Sequence, residues 1–197
     1  MTPTATSCGK FPGPHKSPIL LLGLGNELLK DDAVGVRVAE KLQHTFPEKE
    51  VEVRWTSVFG LALLDELLGR DRVLLIDSYI PEGAPEFREY DLDAVKQTNA
   101  PCPHFVGIGE IRETMCALEL GFPREVRILA IPVDDPTTFS SEMSPQVAAR
   151  VPGAAKRASQ VVRRWLTASR PQERKEHAPA KRYAGAQPLE QKRIHGG

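Results

Sequence analysis

The sequence predicts an α/β fold, a three-layer sandwich with a mostly parallel sheet between helices. Two observations carry this. "PILLLGL" (18–24) and "RVLLIDS" (72–78) are apolar at consecutive positions, the pattern of strands covered on both faces. Around them, strand-like and helix-like periods alternate, and a strand–helix–strand order calls for right-handed crossovers that place helices on both faces of a parallel sheet.

Taken in order, 18–24 is the first strand. "AVGVRVAEKLQHTF" (33–46) then sets Val34, Val38 and Leu42 on one helical face, with Arg37 and Lys41 off it. "VEVRWTSV" (51–58) alternates at period two and reads as a strand, and "LALLDELLG" (61–69) as a short helix ended by Gly69. The strand at 72–78 closes on an acid. "EFREYDL" (86–92) alternates weakly, as an edge strand does, and "KQTNAPCPHFVG" (96–107) is a proline-bearing loop. "IGEIRETMCALELG" (108–121) has helical spacing, and "EVRILAIPV" (125–133) is a further strand halted by Pro132. Ser144 and Pro145 open a last helix as cap and first-turn residue, which runs to about Ala168 and bends at Pro152-Gly153.

The folded domain is therefore expected over 18–168. Residues 1–17 form a Pro-rich polar lead-in without the apolar centre of a signal peptide. Residues 169–197 lack a sustained period and carry more Lys and Arg than Asp and Glu, a disordered basic tail. The chain has 197 residues, 41% of them hydrophobic, enough for one substantial core. Formal net charge is zero, so no global field draws it to nucleic acid or to a membrane surface. No apolar run approaches the roughly 20 residues that cross a bilayer. Cys8, Cys102 and Cys116 are odd in number and form no C-x-x-C pair, which argues against a disulfide framework and for a reducing cytoplasm.

Ligands on such sheets gather at the carboxyl ends of the strands, near a reversal of strand order. The first such end carries Gly23-Leu24-Gly25-Asn26-Glu27-Leu28, which resembles a dinucleotide-binding turn but has Leu28 where the third glycine belongs. Asp31 and Asp32 follow, and anions there repel a pyrophosphate. One of these acids is expected to cap the helix. Asp77 closes the strand at 72–78, and His104 sits in a loop stiffened by prolines, whereas His15, His44, His177 and His195 lie in tails or on a helix. Two carboxylates and an imidazole meeting over one sheet edge form an oxygen–nitrogen set suited to a borderline divalent metal. A paired-carboxylate hydrolase is equally compatible with these residues.

The segments "LLGLGNELLKDDAVGVRVAEKL" (21–42), "VLLIDS" (73–78), "PHFVGI" (103–108) and "FSSEMSPQVAARVP" (139–152) resemble the hydrogenase maturation proteases, nickel-dependent endopeptidases. The resemblance spans about 18–168 and implies a twisted sheet and a monomer acting on a folded partner in the cytoplasm. That partner would be the large-subunit precursor of a nickel–iron hydrogenase, trimmed of its C-terminal extension after nickel insertion. It also implies Asp32, Asp77 and His104 as metal ligands, Asp32 and Asp77 as the catalytic acids of an aspartyl-type site, and nickel carried by the precursor. Asp31 is then a cap or a partner of the ligands. One departure is "TSVFGLALL" (56–64), where the family has a glycine-rich turn. With the cleft altered there, a non-catalytic nickel-precursor chaperone on the same scaffold is the alternative.

Overall fold

The computed structural model describes residues 16–92 and 107–169. Five strands, β1 (Ile19–Leu24), β2 (Val51–Thr56), β3 (Arg72–Tyr79), β4 (Arg88–Asp91) and β5 (Glu125–Pro132), form one sheet in the order β2-β1-β3-β5-β4. All pairings are parallel except β4 against β5, and the weakly alternating segment lies at the sheet edge as its pattern suggested. Both central strands are buried along their whole length, because every side chain on each face meets a helical layer. The helices are α1 (Val34–Leu42), α2 (Leu64–Leu67), α3 (Ile108–Ala117), α4 (Pro145–Ala148) and α5 (Val151–Ser169).

Strand alternation sorts the core into two halves. Ile19, Leu21, Leu74, Ile76, Leu129 and Ile131 pack against α1, α4 and α5. Leu20, Leu22, Leu24, Val73, Leu75 and Ile128 pack against α2 and α3. Val34, Val38 and Leu42 of α1 are buried, as their spacing implied. Each fully buried Leu or Ile side chain contributes about 1.5–3 kcal/mol relative to exposure, and truncating one to Ala costs about 2–5 kcal/mol.

Several boundaries move. The first helix ends at Leu42 rather than near 46, because His44 takes a left-handed φ of 65° that stops it. Phe46 then turns back into the core. The segment at 61–69 is a 3-10 turn, Gly60–Leu63, leading into a single turn of α2. The third helix stops at Ala117, with Glu119 left-handed. The last helix does not bend at Pro152; it breaks before it, at Ala149 and Arg150. Pro152 has no N–H for the carbonyl of Ala148 and its ring crowds that carbonyl, so the chain restarts with proline in the first turn of α5.

The amino ends of the strands are closed by arginines. Arg70 Nη1 donates to the Ser17 carbonyl at 2.8 Å, and Arg72 Nη1 to the Trp165 carbonyl at 3.0 Å. Ser17 is thus tied to the domain although it falls in the expected lead-in; apart from Lys16, Ser17 and Ser169, both expected terminal segments lie outside the described residues. Among the described residues, no helix is long and apolar enough to cross a membrane.

Candidate functional site

Strand order reverses at β1: the chain moves from β1 outward to β2, then returns to the other side at β3. The carboxyl ends of β1 and β3 flank this switch point, where an open α/β sheet leaves a crevice. Gly25 follows β1 with φ of +146°, and a Cβ there would lie 2.1 Å from the Asp32 carbonyl oxygen. Only glycine lets the turn fold back this closely. Asn26 Oδ1 accepts from the Leu28 amide at 3.0 Å, and the Asp32 amide donates to the Leu29 carbonyl at 2.8 Å, so residues 25–32 curl around Asp32. A 3-10 turn, Lys30–Ala33, then runs directly into α1.

The two neighbouring acids have different tasks. Asp32 is 5% exposed; its Oδ2 accepts from the Asn26 amide at 2.7 Å and its Oδ1 from the Ser78 hydroxyl at 2.9 Å. Asp31 is fully buried and turns toward the segment after β5. Its carboxylate accepts from the Ser144 amide at 2.7 Å, the Ser144 hydroxyl at 3.0 Å and the Asp135 amide at 3.3 Å. Neither acid caps the 3-10 turn or α1, and the Ser144 hydroxyl, bound to Asp31, does not cap α4. The capping expectation fails because both carboxylates are turned toward other elements.

Asp31 is one of several ties on the 135–144 loop. Lys30 pairs with Asp135 at 3.0 Å, the Ser140 amide donates to the Leu28 carbonyl, and Leu29 bridges to Phe139. Hydrogen bonds from Thr138 and from the Lys30 ammonium hold the Asp135 carboxyl well below the usual carboxylate range. The same contact with Asp135 raises Lys30.

Asp77 is fully buried at the end of β3, and its Oδ1 accepts from the Ser78 amide at 2.8 Å. It belongs to the face that carries Val73 and Leu75 toward α2 and α3, whereas Ser78 belongs to the α1 face. Ser78 therefore touches both acids: its hydroxyl reaches Asp32 and its amide reaches Asp77. The sequence reading passed over Ser78. The signal was available, since two successive polar residues ending a strand that is otherwise apolar must point to opposite faces.

His104 lies outside the described residues. Among the described residues no group of three or more His, Cys, Asp or Glu side chains is arranged to hold a metal.

The glycine turn is not built for a dinucleotide. Leu28, which stands where the third glycine belongs, is exposed. Close approach is supplied by Gly35 of α1, whose added Cβ would lie 2.3 Å from the Leu24 carbonyl oxygen and 2.4 Å from that of Ile76. Buried Asp31 and Asp32 occupy the first turn, where a pyrophosphate would need free amides.

The loops that leave the carboxyl ends of the strands expose several large apolar side chains. Leu28 follows β1, Val58, Phe59 and Leu61 follow β2, Ile80 follows β3, and Phe139 follows β5; all are exposed.

No protein-family model matches the chain. It is 30% identical, over 121 residues, to the hydrogenase 2 maturation protease of Escherichia coli strain K12, which covers 57% of this chain and 71% of that protein. Among solved structures, the hydrogenase maturating endopeptidase HybD from E. coli matches with a TM-score of 0.62 and 25% identity, over 75% of this chain and 93% of that one. The NiFe hydrogenase maturation protease HybD from Thermococcus kodakarensis shares the fold with a TM-score of 0.57 and 24% identity, over 73% and 97% of the two chains.

Proposed function

We propose, from the premise that this chain belongs to the hydrogenase maturation protease family, that Asp32, Asp77 and His104 are the groups with which it recognises and cleaves its substrate. Membership makes it a hydrolase of peptide bonds in hydrogenase maturation. The substrate on this reading is a hydrogenase large-subunit precursor carrying nickel, and the product is that subunit without its C-terminal extension. The setting is the cytoplasm, and the protein acts as a monomer.

The observation that carries the reading is the convergence of Asp32 and Asp77 on Ser78 at the switch point of the sheet. Among the described residues each Asp32 oxygen accepts one hydrogen bond. A carboxylate oxygen has capacity for two, so each retains a lone pair for a ligand. Carboxylate oxygens with an imidazole nitrogen suit a borderline divalent metal, provided that the acids are ionised and the imidazole is neutral. His104 would supply that nitrogen, three residues before Gly107. Nickel in the precursor then docks the scissile bond against the acids, and a substrate lacking the metal is not held.

In the cleavage step one carboxylate accepts a proton from water as the water oxygen adds to the scissile carbonyl. The C–N bond then breaks, and the proton passes to the departing amine. The exposed apolar side chains of the loops leaving the strands give the extended polypeptide a surface on which to lie.

Intact mass measurement of the large subunit after incubation of its nickel-loaded precursor with the purified protein tests this. The expected result is a C-terminally shortened subunit with the native protein and with His44→Asn. No shortening is expected with Asp77→Ala or His104→Ala. An intact C-terminus with the native protein would make it a chaperone. Full cleavage by both Asp77→Ala and His104→Ala would remove the residue assignment.

A further inference from the structure

We propose that Ser78 is a positioning residue that fixes the plane of the Asp32 carboxylate, an inference that rests on the proteolytic reading of the site. Ser78 is 1% exposed, and its hydroxyl is 2.9 Å from Asp32 Oδ1. The other oxygen, Oδ2, is held by the Asn26 amide. Rotation about the Cβ–Cγ bond of Asp32 is thus restrained at both oxygens, one from the turn and one from β3. Without the hydroxyl, the Asn26 amide is the anchor left among the described residues, and the plane can turn about it.

The arrangement follows from strand geometry. Successive β3 side chains point to opposite faces, so Asp77 faces the α3 layer and cannot itself reach round to the α1 layer where Asp32 originates. The residue after Asp77 is the one whose side chain can span that distance while its amide remains on the Asp77 carboxylate. A hydroxyl suits the place because it donates to a carboxylate oxygen without adding charge. Buried packing alone would be served equally well by alanine, which makes the donor separable from the volume.

The test compares Ser78→Ala, Ser78→Thr and Ser78→Cys with the native protein, using cleavage of the nickel-loaded precursor and thermal unfolding. Ser78→Ala is expected to lower kcat by about ten- to a hundredfold, the scale on which displaced catalytic groups lose rate, with KM within about twofold. Ser78→Thr keeps the hydroxyl and restores most of the rate. Ser78→Cys fills the same space with a weak donor and stays as slow as Ser78→Ala, so it decides the matter should alanine fail to fold. Independently of activity, the cost of Ser78→Ala in the unfolding equilibrium constant should shrink by about tenfold in an Asp32→Ala background, the signature of a direct contact. A kcat within twofold of native in both Ser78→Ala and Ser78→Cys would overturn the inference. So would a loss confined to stability or KM, or additive costs with Asp32→Ala. Absence of cleavage by the native protein would instead defeat the proteolytic reading.

Discussion

Replacing Gly35 by alanine is expected to weaken the fold moderately and the activity severely. The new Cβ would lie 2.3 Å from the Leu24 carbonyl oxygen and 2.4 Å from that of Ile76. A comfortable carbon–oxygen approach is about 3.3 Å, so the start of α1 must withdraw from the sheet by about 1 Å. Overpacking commonly costs about 1–3 kcal/mol, and these neighbours are backbone carbonyls of central strands that cannot rotate aside, which places the change near the upper end. For a chain of this size about 3 kcal/mol lowers Tm by roughly 6–12 °C, within a total stability of about 5–15 kcal/mol, so the variant still folds. The 3-10 turn that carries Asp32 is continuous with α1 and moves with it. A displacement of about 1 Å at a reacting group costs about a hundredfold in rate. Thermal unfolding and precursor cleavage, measured well below the lowered Tm, read the two effects separately. Gly83→Ala is the control, since a Cβ there meets nothing within 4 Å. A Gly35→Ala protein with native Tm would refute the packing argument, and one with lowered Tm but native kcat would refute the coupling of α1 to the site.

Asp31→Asn replaces an acceptor of three hydrogen bonds with a group that must present a donor to one of them. A loss of about 1.5–3 kcal/mol is expected, with faster chymotrypsin cleavage after exposed Phe139; an unchanged cleavage rate would contradict the anchoring role. Asp135 has a carboxyl depressed in the folded state, so its contribution is complete above the unfolded value near 3.8 and fades only as pH falls below that toward the folded value. The Thr138 amide, which donates to Asp135 Oδ1 at 3.0 Å, should therefore remain protected from hydrogen exchange at pH 4 in the native protein but not in Asp135→Ala, which lacks the acceptor. Protection that disappears between pH 6 and 5 would refute this. Phe59→Ser and Phe139→Ser change exposed side chains and should alter stability by no more than about 0.5 kcal/mol. KM for the precursor is expected to rise severalfold at constant kcat, and an unchanged KM in both would remove these side chains from recognition.

The parts of this fold that could be read from the sequence are those where one physical requirement acts alone. Continuous apolar runs at 19–24 and 73–76 meet helices on both faces, so they read as central strands, and Asp77 stands out where the second run stops. The edge strand was legible because one face of Arg88–Asp91 is wet. Asp31 and Asp32 could not be separated in advance. Their divergence depends on a 3-10 turn that aims adjacent carboxylates at different elements, and on a loop some hundred residues later that brings Ser144 and Asp135 to one of them. Gly35 likewise reads as a weak helical residue until Leu24 and Ile76 are seen beneath it. The helix break at Ala149 was misplaced by a few residues because proline acts on the turn preceding it.

The central claim is that carboxylates at the ends of β1 and β3, with His104, reach the nickel of the precursor. Nickel-edge X-ray absorption on the loaded precursor, before and after addition of the protein, measures this directly. The expected result is a gain of oxygen and nitrogen neighbours around nickel on mixing with the native protein, and a smaller gain with Asp77→Ala. A nickel shell that stays the same while the native protein cleaves the precursor would contradict the account.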